Sequence, residues 1–270
     1  MQAVIMAGGF GTRLRPLTNN IPKPMVPILN KPILEHIIGL LKMHGIKDYV
    51  VLLFFMPDKI RDYFGDGRKF GVKIRYVVPD EDYGTAGAVK LSEKFIDDNF
   101  IVISGDVLTD FNLSSISSFH KMKDTVATIS LYSSKNPLQF GIVLTDAKQR
   151  IVRFLEKPSA SEVFSDTINT GIYFFRKDIF KYIPAGESFD FSKDLFPSLL
   201  RQKIPIYGFR TPGYWRDVGN LEEYIDANMD ALRGKLEHFE SYGKTGSCIS
   251  PKANIDKDSA IEGSVIGSGV

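Results

Sequence analysis

The chain is predicted to fold as an α/β domain around a mixed central sheet, followed by the start of a parallel β-helix. Three observations predict this. Apolar strand-like runs alternate with helical stretches through the first half of the 270 residues. Beyond about residue 136, strand-like runs follow one another with little helix between them. Near the C-terminus, aliphatic residues recur every six positions.

Taken in order, residues 4–6 read as a buried first strand. Residues 33–43 read as a helix, with Pro32 near its first turn and Gly45 just past its end. Residues 49–55 form a continuous apolar run, as expected of a strand covered on both faces. Strand 73–78, helix 86–95 and strand 100–104 follow, the last closing on Gly105 and Asp106. Helix 113–122 and strand 126–131 complete this alternation, which implies βαβ units and a mostly parallel sheet with helices on both faces. Strands at 140–144, 151–155 and 170–175 then suggest an antiparallel or mixed annex on the same sheet. Helical patterns return at 192–200 and 221–232. In the tail, Ile249, Ile255 and Ile261 recur with period six. Ala253, Ser259 and Val265 share that period, and Gly263, Gly267 and Gly269 lie among and beyond them. Such coils need stacked neighbours to bury their apolar face. The chain therefore reads as the front of a longer protein, against the alternative of an irregular tail with chance spacing. The expected division is 1–235 for the main domain and 236–270 for a linker and truncated repeat.

Composition narrows the function. Apolar residues make up 43% and charged residues 24%, as in soluble globular proteins. With 34 basic and 32 acidic side chains the net charge is +2, which calls for neither nucleic acid nor an acidic membrane as partner. A single cysteine, Cys248, excludes an internal disulfide framework and suits a reducing cytoplasm. The N-terminus has no basic region and no long apolar stretch, so neither a signal peptide nor a membrane span is supported.

The first strand runs into Ala7-Gly8-Gly9-Phe10-Gly11-Thr12-Arg13. Glycines directly after a strand let consecutive backbone N–H groups cradle a phosphate. The dinucleotide pattern fails, because Gly9-Phe10-Gly11 is followed by Thr12, Arg13 and Leu14; the Gly-Lys-Ser/Thr ending of a P-loop is also absent. Instead two cations follow, Arg13 and Lys23, among Pro16, Pro22, Pro24 and Pro27. Taken alone, the loop is equally a tight turn with surface cations.

The full run GGFGTRLRPLTNNIPKPMVP, residues 8–27, is more specific. It resembles the signature of the sugar-1-phosphate nucleotidylyltransferases, the nucleotide-sugar pyrophosphorylases. Gly84-Thr85-Ala86-Gly87-Ala88, Gly105-Asp106, Glu156-Lys157-Pro158, Asn169-Thr170-Gly171 and Trp215-Arg216-Asp217-Val218-Gly219 resemble further segments of that family, in its order. The resemblance covers roughly residues 1–235 and implies a Rossmann-like nucleotide-diphospho-sugar transferase fold, with a left-handed parallel β-helix as a common extension. It implies that the backbone of Ala7, Gly8, Gly9, Gly11 and Thr12 holds a triphosphate and that Arg13 and Lys23 neutralise it. Gly84, Thr85 and Ala86 would pack against base and ribose. Gly141, Glu156 and Asn169 would contact the sugar, and Lys157 the sugar phosphate. Asp106 and Asp217 would hold Mg2+.

The implied reaction is an in-line displacement, in which a sugar-phosphate oxygen attacks the α-phosphorus and pyrophosphate leaves. Positioning and charge neutralisation do most of the work in such transfers, and no covalent intermediate with the protein is needed. The absence of a convincing nucleophilic triad is consistent with this. His36, His44, His120 and His238 are scattered without metal-ligand spacing and read as structural or surface residues. Asp106 at a strand end suits Mg2+, with a helix cap as its alternative, a role for which Asp110 competes. Tyr214 and Trp215 could flank the sugar pocket or sit in the core.

Pro24-Met25-Val26-Pro27, the segment 31–35 and the segment 140–143 are most similar to the mannose-1-phosphate guanylyltransferase branch. GTP and mannose 1-phosphate, giving GDP-mannose, are therefore the expected substrates. Glucose-1-phosphate uridylyl-, adenylyl- and thymidylyltransferases share the same core motifs. Base choice would fall to residues 78–83, where Asp80, Glu81 and Asp82 could accept from guanine donors or form a solvated turn. Tyr83 stands where the family commonly has leucine. A non-catalytic sugar-nucleotide sensor would be expected to lack Arg13, Lys23, Asp106 or Asp217, and all four are present. A nicotinamide-dependent oxidoreductase fails on the glycine spacing. Truncated coils would expose an apolar end that could promote homo-oligomerisation.

Overall fold

The computed structural model describes residues 1–237, 239, 242 and 246–270. His238 lies outside the described residues. In chain order, β1 (Gln2–Ala7) leads through a glycine loop to a two-residue hairpin, β2 (Pro27–Ile28) and β3 (Lys31–Pro32). Then come α1 (Ile33–Met43), β4 (Asp48–Leu53), α2 (Pro57–Phe64), β5 (Lys73–Val77), α3 (Gly84–Lys90) and β6 (Phe100–Ser104). They are followed by β7 (Val107–Thr109), α4 (Leu113–Lys123), β8 (Ala127–Ser133), β9 (Gly141–Thr145), β10 (Ile151–Glu156) and β11 (Thr167–Phe175). A π-helical turn, Phe191–Leu195, runs into α5 (Phe196–Arg201). The chain continues through β12 (Tyr207–Arg210), β13 (Trp215–Asp217) and α6 (Leu221–Leu232) to β14 (Cys248–Ile249) and β15 (Val265–Ile266).

The main sheet runs β10-β9-β11-β6-β1-β4-β5, with β8 paired to β11 and β12. β6, β1, β4 and β5 are parallel, and β11 is antiparallel to β6, β8 and β9. The mixed sheet and its antiparallel annex therefore follow the expectation from the sequence. Alternation along the strands divides the core between the two faces. Ala3, Ile5, Ile101 and Ile103 face α1 and α6, while Val4, Phe100 and Val102 face α3 and α5. Each fully buried aliphatic side chain contributes about 1.5–3 kcal/mol, so the sheet is a firm base for the loops at its edge.

Several expected boundaries shift for local reasons. The helix expected over 86–95 begins at Gly84 and ends at Lys90. The Ser92 hydroxyl donates to Val89 O at 2.6 Å, and the chain tightens into a 3-10 turn at Glu93–Phe95. The strand expected over 49–55 stops at Leu53, and Phe54 turns out to the rim. Asp110 does not cap α4: Asn112 does, accepting from Ser115 N at 3.0 Å. Asn220 likewise caps α6, which leaves Asp217 free of that job. α2, β7, β12 and β13 carried no sequence signal; α2 buries only Ile60 and Phe64.

Of the β-helix expected from the six-residue period, the tail shows one two-residue parallel pair, Cys248 with Val265 and Ile249 with Ile266, and no stacked coils among the described residues. Asn30 Nδ2 donates to Ile266 O at 3.0 Å, fastening this pair to the β2–β3 turn. Ile249 and Ile255 are exposed. No helix among the described residues is long and apolar enough to cross a membrane.

Candidate active site

The carboxyl ends of β1 and β6 lie side by side, because Met6 pairs with Ser104 and Gly105 N donates to Met6 O at 2.8 Å. Strand ends in an open α/β sheet are where ligands bind. Beyond them the chain forms two cavities of about 340 Å3 each. The first is walled by Gly8, Gly9, Phe54, Tyr83, Gly84 and Thr85. The second is walled by Arg13, Gly141, Glu156, Lys157, Asn169, Trp215 and Asp217. Ser104 and Asp106 belong to both, so the cavities adjoin at Asp106. A larger cavity of about 470 Å3 lies against α1 and Phe70, away from this convergence of charged groups.

Most residues singled out in the sequence thus gather in one place, but not all. Ala7 and Ala86 are fully buried in the two halves of the core, and Gly11 and Thr12 lie outside both cavity walls. Arg13 lines the second cavity rather than the first. Lys23 reaches the junction of the cavities with its side chain only 10% exposed. Its ammonium donates to Asp106 Oδ2 and lies 3.5 Å from Asp217 Oδ1. The loop that delivers it is set by Pro22 and Pro24 and by the Thr18 hydroxyl, which donates to Gly11 O at 2.7 Å.

Two carboxylates therefore converge on one buried cation. Burial pushes the Asp217 carboxyl up, the charge of Asp106 adds to that, and Lys23 and Arg13 oppose it; the result is about 6. Burial by itself would lower the Lys23 ammonium, but the two carboxylates outweigh it and hold it above the ordinary lysine value. Burial also raises the Glu156 carboxyl; Lys157 pulls it down and the charge of Asp190 pushes it up. Gly141 lies close under two side-chain ends: a Cβ there would meet Glu156 Oε2 at 2.6 Å and Phe154 Cζ at 2.8 Å and would displace them.

Asn169 is held firmly. Its Nδ2 donates to the Tyr173 hydroxyl at 3.0 Å and to Ser192 Oγ at 3.3 Å, and its Oδ1 accepts from Gly171 N at 3.1 Å. Thr85 Oγ1 donates to Asp190 and accepts from Phe191 N, both at 2.9 Å, which ties the start of α3 to the turn carrying Ser192. Sequence reasoning missed Ser192 and Ser104, since a lone serine in a helix or strand pattern carries no signal. Trp215 joins the second cavity, with its indole N–H on Thr170 O at 3.0 Å, whereas Tyr214 faces away toward Asp230. In the acidic trio, Asp80 accepts from the Tyr83 hydroxyl and Asp82 from Gly84 N, while Glu81 lines the first cavity.

Among the described residues no group of three or more His, Cys, Asp or Glu side chains forms a closed metal cage. Asp106 and Asp217 do converge on a single positive centre. That donor set fits Mg2+, which takes one or two carboxylates and completes its shell with phosphate oxygens and water.

A glycine loop, two carboxylates on one cation and two adjoining cavities thus lie together at the strand ends of an α/β sheet. The nucleotidyl transferase family profile matches residues 2–234, and the chain belongs to that family. It is 37% identical to the UTP–glucose-1-phosphate uridylyltransferase of Synechocystis sp. over 90% of its own length, and spans 66% of that relative. It is 34% identical to the mannose-1-phosphate guanylyltransferase of Mycobacterium tuberculosis over 100% of its length and 76% of that protein. The structure of HddC from Yersinia pseudotuberculosis complexed with GMP-PN superposes with a TM-score of 0.71 at 29% identity, covering 84% of this chain and 97% of that one.

Proposed function

We propose that the protein transfers a guanylyl group from GTP to mannose 1-phosphate, releasing pyrophosphate and forming GDP-mannose. The observation that carries this reading is the meeting of two cavities at Asp106, with Asp217 and Lys23 at the junction. The triphosphate lies over Gly8 and Gly9, with base and ribose toward Gly84 and Thr85. The sugar 1-phosphate occupies the second cavity, its phosphate near Lys157 and Arg13 and its hydroxyls on Glu156, Asn169 and the backbone of Gly141. Asp106 and Asp217 hold Mg2+, which when bound offsets charge on the reacting phosphates. Lys23 and Arg13 neutralise the repulsion between two anionic substrates, and the rigid walls orient them.

Glu81 and Asp82 line the first cavity, and a carboxylate there could accept from the two donors, N1–H and N2–H, that guanine presents side by side. The guanylyltransferase relative and the guanine-nucleotide complex of HddC support the same choice. The uridylyltransferase relative supports a second reading, UTP with glucose 1-phosphate. We further propose that residues 1–235 are the catalytic domain and that β14 and β15 begin a hexapeptide-repeat β-helix through which copies associate, in the cytoplasm.

The test is pyrophosphate release with Mg2+ across a matrix of GTP, UTP, ATP and dTTP against mannose, glucose and N-acetylglucosamine 1-phosphates. Asp106→Asn serves as the control. Release with GTP and mannose 1-phosphate, lost in the variant, is expected. Release only with another pair would overturn the substrate assignment and keep the reaction. Undiminished release from Asp106→Asn would overturn the site.

A further inference from the structure

Asp106 and Asp217 meet because β7 and β13 pair antiparallel, Val107 opposite Asp217 and Thr109 opposite Trp215. This ladder stands apart from the main sheet. A three-residue, two-stranded ladder has little stability of its own, so something must fix β13 from outside.

Strand alternation shows what does. Trp215 and Asp217 face the second cavity, and Arg216 between them faces α6. The Arg216 guanidinium donates to Glu223, to Asp226 at 3.2 Å and to Asp230 at 3.0 Å, and its Nε donates to the Tyr214 hydroxyl at 2.9 Å. The entry to β13 is gripped as well. Asp110, itself buried, accepts from Tyr214 N at 2.7 Å and from Glu237 N at 3.1 Å. Gly213 permits this approach, since a Cβ there would lie 2.5 Å from Asp110 Oδ1.

We infer that Arg216 is a positioning residue for nucleotidyl transfer: by locking β13 to α6 it fixes the distance and direction of Asp217 relative to Asp106. A planar guanidinium suits this role, because its rigid fork engages several carboxylates at once and an ammonium does not. The inference rests on the reading of Asp106 and Asp217 as the pair that holds Mg2+. Misplacement of a reacting group by about 1 Å can slow a reaction roughly a hundredfold.

Trp215, the only tryptophan in the chain, sits beside Arg216 on the same strand and reports its position independently of substrate. The experiment compares Arg216→Met, Arg216→Lys and Asp217→Asn with the parent protein. It measures thermal unfolding, Trp215 emission and acrylamide quenching, kcat, KM for each substrate, and the Mg2+ concentration giving half-maximal rate. In folded Arg216→Met we expect red-shifted, more quenchable Trp215 emission, a kcat lowered roughly tenfold to a hundredfold, a several-fold higher Mg2+ requirement, and nucleotide KM within about twofold. Arg216→Lys should lie between. If Arg216→Met melts at a lower temperature but keeps parental Trp215 emission, kcat and Mg2+ requirement, Arg216 is structural only and the inference fails. If Arg216→Met does not fold, Arg216→Lys decides on the same readouts. If Asp217→Asn retains parental activity, the metal reading fails instead, whatever Arg216 does.

Discussion

Acidification from about pH 7 to pH 4 should weaken the fold through one buried side chain far from the cavities, His120 on α4. His120 is 3% exposed. Asn99 donates its Nδ2 to Asp98, so its Oδ1 faces His120 Nε2 at 3.3 Å as an acceptor. Nε2 therefore carries the proton, and Nδ1 accepts from the Thr128 hydroxyl at 2.9 Å. A second proton has no acceptor without turning that hydroxyl. Burial lowers the pKa to about 4, from an ordinary value of 6.5; Arg176 and Lys121 lower it too, and Asp124 and Asp98 oppose. The unfolded chain thus binds a proton from about pH 6.5 downward while the folded chain resists until about pH 4, and stability falls through that window. A gap of about 2.5 pH units at roughly 1.36 kcal/mol each gives about 3 kcal/mol, a large share of the roughly 5–15 kcal/mol typical of a domain. Urea unfolding of the parent and of His120→Gln, followed by circular dichroism from pH 7.5 to 4, would measure it. Carboxylates titrate in both proteins, so the difference between them isolates the histidine. The stability advantage of the parent over the variant should shrink by about 3 kcal/mol. A difference that stays constant across the window would refute the reasoning.

Two further outcomes follow from the site. Lys23→Met removes the cation shared by Asp106 and Asp217, so kcat/KM for the nucleotide should fall roughly a hundredfold or more, and steady-state kinetics within twofold of the parent would contradict its role. Gly141→Ala forces a Cβ to 2.6 Å from Glu156 Oε2. It should displace the Glu156 carboxylate and raise KM for the sugar 1-phosphate roughly tenfold while leaving KM for the nucleotide unchanged; equal changes in both would show that the second cavity is not the sugar subsite.

Much of this protein was legible in local patterns. Continuous apolar runs marked β1, β4 and β6, and the change of pattern after about residue 136 marked the antiparallel annex, because burial on one or both faces imposes a period that a short window reveals. Asp106 and Asp217, the partners of Lys23, are distant in the chain, whereas the glycine run after β1 was visible as a local pattern. Short elements were not. β7 and β13 hold three residues each, too few for a period, and their pairing is a tertiary fact.

What the sequence by itself determined is the mixed sheet and, through resemblance, the family to which the chain belongs. Only the tertiary structure decided that Lys23 and Asp217, 194 positions apart in the chain, share one buried centre with Asp106. It also showed that Ala7 and Ala86 belong to the core, that Asp110 accepts from Tyr214 N rather than capping a helix, and that Arg216 pairs with Asp230 on α6. The physical reason is that side-chain burial and charge coupling depend on distance in space, which a one-dimensional pattern carries only where the chain runs regularly.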